Sequence, residues 1–193
     1  DNSFSGQDLE RLRQGGVRGV RFNLIEESGG AVDLALFERI ADRVRGLGWC
    51  MCFHMMPNEV VEHGAWAAKL RLPTIIDHIG RIPFEDGLGQ KPFRALLDLA
   101  KTGDIWVKVS GADRQKSRGY PMDDVVPFVE ALAQVAPDRL IWGTDWPHGN
   151  IFKPNAITND GDLIDFLPKL LPDETLRRKV LVDNPARLFG FGA

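Results

Sequence analysis

Leu140-Ile141-Trp142-Gly143-Thr144-Asp145-Trp146-Pro147-His148 opens on an apolar, strand-forming triplet and ends on ionisable groups beside a proline. A strand of this form carries a carboxylate at its C-terminal tip. Four runs upstream have a similar build: Val17–Leu24, Trp49–Met55, Thr74–Gly80 and Ile105–Gly111. With Leu140–Asp145 they make five predicted strands. Helical spacing fills the gaps, over Gln7–Gln14, Leu34–Leu47, Val60–Leu70, Lys91–Lys101 and Asp123–Ala136, several of them announced by a capping residue or a proline. A polar loop over Gly149–Asp162 then leads to helices near Leu163–Leu170 and Asp173–Val182 and to a short terminal helix within Asn184–Phe189. Short strands alternating with helices are the mark of parallel βα units, so residues 1–193 read as one α/β domain.

An open doubly wound sheet and a barrel share this rhythm, and the polar residues separate them. Side chains alternate along a strand, so residues of equal parity share a face. On one face of each predicted strand a polar group sits near the C-terminal end: Arg21 and Asn23, then His54, His78, Lys108 with Ser110, and Asp145. Burying such groups without partners costs several kcal/mol each, on the order of 2–7. Their recurrence on successive strands points to one shared polar cavity at the C-terminal face, as in a (β/α)8 barrel, here a partial one of about five βα units. An open sheet covered on both faces would be apolar on both.

Each residue also has a plainer reading. Asp145 taken alone suits a helix N-cap. Parity puts Asp77 on the face opposite His78, as a structural or supporting group. His63, between Glu59 and Glu62, reads as part of a solvated helix face, and Trp146 as a wall of the pocket. Cys50 and Cys52 read as core, not as a metal clip, because a soft-metal site wants more ligands than the chain's two cysteines.

The chain has 193 residues, 44% hydrophobic and 26% charged, which is ordinary usage for a folded domain. A formal net charge of −3 provides no field that would gather nucleic acid or an anionic membrane. Arg114, Lys116 and Arg118 nevertheless form a local basic cluster after the fourth strand, within Gly111–Tyr120. They favour a small anionic substrate. No stretch reaches the roughly 18 apolar residues of a membrane span, and no signal pattern opens the chain. The unbridged cysteines fit a reducing, cytoplasmic setting. Opening on Asp1 within a polar run, the sequence is expected to continue upstream of what is seen here.

Taken together, Gly16–Asn23, Asp77-His78-Ile79-Gly80-Arg81, Trp106–Gly111, Gly143–His148 and Asn184–Phe189 resemble the amidohydrolase superfamily, and within it the 2-pyrone-4,6-dicarboxylate lactonase branch. The resemblance runs from near Leu9 to the end. It implies an eight-stranded barrel of which these are the fourth to eighth strands. The first strand of such barrels carries a His-x-His pair, a pattern absent from this sequence. The expectation is therefore a C-terminal portion of a barrel.

The resemblance further implies opening of a carboxylated lactone. Asp145 would act as base towards water and then return the proton to the leaving oxygen. His78, with the His pair, would polarise the carbonyl. Arg21 and Arg114 would clamp carboxylates, with His148, His54, Arg18 and Arg81 lining the pocket. Relatives in the superfamily often hold a divalent metal such as zinc, for which His78 and Asp145 would be ligands here. The dicarboxylate lactonases work without one, so no obligatory metal is expected. The competing readings are a metal-dependent decarboxylase of an aromatic or muconate acid and an inactive barrel fragment.

Overall fold

In the computed structural model, which describes residues 3–25, 32–113, 122–149 and 157–191, the strands lie in one parallel sheet. They are β1 (Gly19–Asn23), β2 (Cys50–His54), β3 (Thr74–Ile76), β4 (Ile105–Val109) and β5 (Leu140–Trp142), and they are neighbours in chain order, β1-β2-β3-β4-β5. An order that never reverses, with the right-handed crossovers that parallel βα units nearly always take, sends the crossover helices to the same face of the sheet. That is the winding of a barrel wall, whereas a doubly wound sheet changes direction at its switch point.

The helices are α1 (Gly6–Gln14), α2 (Leu34–Arg45), α3 (Pro57–Ala67), α4 (Lys91–Ala100) and α5 (Val126–Val135), followed by α6 (Asp160–Asp165), α7 (Leu167–Leu170), α8 (Glu174–Arg178) and α9 (Asn184–Phe189). A side chain accepts from a free backbone N–H at the head of α1, α2 and α3, while α3, α4 and α5 carry a proline in their first turn. Ser5 and Asp8 form a reciprocal capping box on α1, and the Asp33 carboxylate accepts from the Leu36 N–H at the head of α2. Phe37, Ile40, Ala41 and Val44 bury one stripe of α2, and Phe93, Leu96, Leu99 and Ala100 one stripe of α4. These stripes meet the outward strand residues Phe53, Ile76, Val107 and Leu140 in the main core.

The opposite face of the sheet is different. Register aligns Arg21 with Cys52, Cys52 with Ile75 and Ile75 with Trp106, while Lys108 lies beside Ile141. Its small apolar cluster of Cys50, Cys52, Ile75, Trp106, Ile141 and Leu188 is closed from below by α9. The polar groups stand above it.

Four expectations change. The third strand stops at Ile76, because His78, Ile79, Gly80 and Arg81 all adopt left-handed φ values of +50° to +63°. The fifth stops at Trp142, before the turn at Asp145–His148. The helix expected over 163–170 begins earlier and is divided into α6 and α7, with Pro168 in the first turn of α7. Beyond α8 the chain forms a π-helical turn over Lys179–Asp183 before α9. No helix among the described residues is long and apolar enough to cross a membrane.

Candidate active site

The C-terminal ends of the strands meet at one buried carboxylate. Asp77 follows the last residue of β3 and is 1% exposed. Its Oδ2 accepts from Arg21 Nε at 3.0 Å and from Arg21 Nη2 at 2.9 Å, and its Oδ1 lies 2.7 Å from Lys108 Nζ. Arg21 comes from β1 and Lys108 from β4, so one carboxylate at the end of β3 ties together two strands that have β2 and β3 between them. Burial by itself would raise the Asp77 carboxyl, but Lys108, His78 and Arg21 outweigh it and hold the group down to about 2. Burial likewise pulls Lys108 down, and Asp77 overrides this and raises it. This trio is fully charged at neutral pH.

His78 stands beside the trio. Its Nδ1 is 2.9 Å from Ser110 Oγ, and its Nε2 is 3.5 Å from both Asp77 Oδ2 and Asp145 Oδ1. Burial lowers its basicity more than Asp77 and Asp145 restore it, which favours the neutral ring. The ring of His54 meets that of His78 edge to face, with centroids 5.3 Å apart and planes at 78°. Arg81 Nη1 donates to His54 Nε2 at 3.1 Å. An arginine only donates, so this nitrogen of His54 carries the lone pair and the proton belongs on Nδ1. Burial, then Arg21 and His78, push His54 down to about 4.

Asp145 holds φ at +70°, and its carbonyl accepts from the His148 N–H at 2.7 Å, closing a four-residue turn that contains a cis Trp146–Pro147 bond. Its side chain is one-quarter exposed, facing His78 on one side and solvent on the other. It caps no helix among the described residues.

The structure thus gathers Arg21, His54, His78, Arg81 and Asp145 at one face and sends two other candidates elsewhere. Arg18 lies at the far end of β1, donating to the carbonyls of Phe189, Arg13 and Val17, and fastens α9 below the sheet. Residues Arg18 and Arg21 are three apart on an extended strand, which places them at opposite ends of it. His148 is buried, with Nε2 3.2 Å from Asp160 Oδ1, so it anchors the Asp145 turn to α6 instead of lining the pocket. Arg114, with Lys116 and Arg118, falls outside the described residues. Trp146, read as a wall of the pocket, is 75% exposed among the described residues.

Asp77 is the residue that parity misplaced. Register shows Ile75, not Ile76, on the polar face, so Asp77 continues that face, and the left-handed turn then swings His78 to the same side. The signal was present in the third strand, where Ile75 and Ile76 are equally apolar and only pairing to Cys52 tells them apart. Lys108 and Ser110 had been given a face but no task. Cys50 and Cys52 are buried and unbridged, and burial pushes their thiols up to about 11 and about 12, as expected of core residues.

No three His, Cys, Asp or Glu side chains among the described residues converge as a metal-binding set. His78 and Asp145 are two such donors that face each other, and a structural or catalytic zinc site draws on at least three. The described donor set does not fit a metal by itself, and no step below is routed through one.

Known proteins resemble the chain along nearly its whole length. The profile of the Amidohydrolase family matches residues 4–191. A 4-sulfomuconolactone hydrolase of Rhizobium radiobacter is 47% identical over 184 residues, covering 95% of this chain and 62% of its own length. A 2-pyrone-4,6-dicarboxylate hydrolase of Comamonas testosteroni is 34% identical, covering 97% of this chain and 64% of that protein. The crystal structure of a candidate 2-pyrone-4,6-dicarboxylic acid hydrolase from Pseudomonas putida superposes with a TM-score of 0.85 at 30% identity, over 100% of this chain and 70% of that one. The chain therefore spans a little over three-fifths of the length of these curated relatives.

Proposed function

Because this chain belongs to the amidohydrolase family, we propose that its site serves hydrolysis of a lactone bearing carboxylate or sulfonate groups, with Asp145 as the base that activates water. The observation that carries the reading is the pairing of Asp145 with His78, 3.5 Å apart, on a face that also presents Arg21, Lys108 and Arg81. Asp145, one-quarter exposed, takes a proton from water. The resulting hydroxide adds to the lactone carbonyl, whose oxygen becomes an oxyanion stabilised by a hydrogen bond from His78. Collapse of that intermediate breaks the bond from the carbonyl carbon to the ring oxygen. Asp145 then returns its proton to the departing oxygen, and the product is an open-chain acid.

Cations flanking the base explain why the substrate should be an anion. Arg21 is half exposed although Asp77 holds it, so part of its guanidinium remains open to an anion. Arg114, in the segment of sequence that follows β4, is proposed as a further clamp. The relatives' names join a lactone to sulfonate or dicarboxylate groups, which supports the same substrate class. Buried, unbridged Cys50 and Cys52 support a reducing, cytoplasmic setting.

Asp145→Asn tests the assignment directly. With 4-sulfomuconolactone and 2-pyrone-4,6-dicarboxylate as substrates, ring opening followed by ultraviolet absorbance should fall by about 10²–10⁴-fold. Intact turnover in that variant would overturn the role of Asp145, and release of CO2 by the unsubstituted enzyme would replace hydrolysis with decarboxylation. The same assay after chelation should keep its rate; a loss restored by zinc or manganese would make the metal obligatory.

A further inference from the structure

We infer that Ser110 is a positioning residue, whose hydroxyl donates to Nδ1 of His78 and thereby keeps the imidazole proton on Nε2, where the lactone carbonyl is to be received. The inference rests on the role proposed above for His78 and adds the device that makes a neutral histidine a hydrogen-bond donor at that point.

Three independent features hold the ring. Ser110 and His78 are 4% and 6% exposed, and their polar atoms lie 2.9 Å apart, so neither has bulk water as a substitute. Gly111, at φ +72°, lies beneath the ring: a Cβ there would come within 3.3 Å of Nδ1 and 3.4 Å of the His78 Cβ. On the other side, His78 begins the left-handed run that continues through Ile79, Gly80 and Arg81. Gly80 makes that run possible, since a Cβ on it would lie 2.7 Å from Val60 Cγ2 on α3. The backbone therefore aims the ring before any substrate arrives.

A serine hydroxyl both donates and accepts, so its presence alone does not choose the tautomer. The surroundings of Nε2 set the direction of the hydroxyl, and the hydrogen bond it then donates to Nδ1 holds the tautomer. Nε2 lies 3.5 Å from Asp77 Oδ2 and 3.5 Å from Asp145 Oδ1. A lone pair directed between two carboxyl oxygens is repelled, whereas an N–H in the same place is attracted. Asp77 is certainly anionic, because Lys108 and Arg21 bind it. With the proton on Nε2, Nδ1 is left as an acceptor and Ser110 must donate. The opposite assignment would present a lone pair to the substrate carbonyl oxygen, which would repel it.

Nitrogen-15 NMR of the chain labelled at its four histidines reads the tautomer directly, with His78 identified by its disappearance in His78→Gln. The wild-type ring should be neutral with Nε2 protonated. Ser110→Ala should move protonation towards Nδ1 and lower kcat by about 10–100-fold with KM little changed, the size expected when the partner of a key histidine is removed. Ser110→Thr, which keeps the hydroxyl, should recover both signals. A wild-type ring protonated on Nδ1, or a tautomer indifferent to Ser110→Ala, would overturn the inference. If Ser110→Ala does not fold, the wild-type and Ser110→Thr spectra still decide. The spectrum needs no substrate: an Nε2-protonated ring in a chain that opens no lactone would refute the proposed function and leave the tautomer standing.

Discussion

At the scale of single residues, the buried Asp77 is the electrostatic centre of the site. Its carboxyl moves from 3.8 down to about 2 on folding, because Lys108 and Arg21 outweigh burial. A carboxylate whose folded value is depressed contributes stability above its unfolded value and loses it as pH falls through the folded one, here from about pH 4 to pH 2. The shift corresponds to roughly 2 kcal/mol. His54 acts at higher pH. Burial depresses it from 6.5 to about 4, so the unfolded chain binds a proton first, and stability declines as pH falls from 6.5 towards 4. Urea midpoints should therefore drop in two stages on acidification. Asp77→Asn should abolish the lower stage and, at pH 7, destabilise by about 2–4 kcal/mol, near the lower end for a broken buried pair because Arg21 and Lys108 retain some access to water. An unchanged midpoint for Asp77→Asn at pH 7 would mean that the trio adds nothing to the fold.

Among the elements, the turn after β3 does most to place the chemistry. Strand alternation would send Asp77 and His78 to opposite faces, and a run of left-handed residues brings them together. Non-glycine residues in that conformation cost on the order of 1–2 kcal/mol each. The packing of Ile79 and Gly80, both buried, offsets the cost. Gly80→Ala should lower stability by about 1–3 kcal/mol, because its Cβ would meet both an unfavourable φ and Val60. It should also reduce turnover more than binding, since His78 is two residues away. Chemical denaturation and steady-state kinetics check both parts, and a wild-type midpoint in Gly80→Ala would show that the turn yields. The predicted βα pattern found every strand and every larger helix among the described residues because apolar periodicity and capping residues are local signals. The left-handed turn was not legible, since only Gly80 in His78-Ile79-Gly80-Arg81 favours positive φ. The split between α6 and α7 had a visible cause in Pro168, which stops the backbone hydrogen bonding of a continuous helix.

Over the whole molecule, a chain of net charge −3 concentrates cations at one end of its sheet. Arg21, Arg81 and Lys108 face the site with Asp77 and Asp145, and the global charge conceals this arrangement. An anionic lactone should bind through that local field. Its KM should rise several-fold between low salt and about 0.5 M salt, where the Debye length falls below about 5 Å, while a neutral lactone should show little change. Equal salt dependence for the two would remove the cationic face from substrate recognition.

By itself the sequence determined the parallel βα order, the strand ends as the place of the polar groups, and Arg21, His54 and Asp145 as members of one face. These follow from periodicity and from motifs within a few residues of each other. Only the tertiary structure decided that Asp77 joins them and that a turn brings His78 to the same side, that Arg18 belongs to the opposite end, and that His148 supports the Asp145 turn from behind. Register between strands, the handedness of one turn and the docking of α6 and α9 set these positions. Each depends on contacts between residues far apart in the chain, which no local pattern encodes.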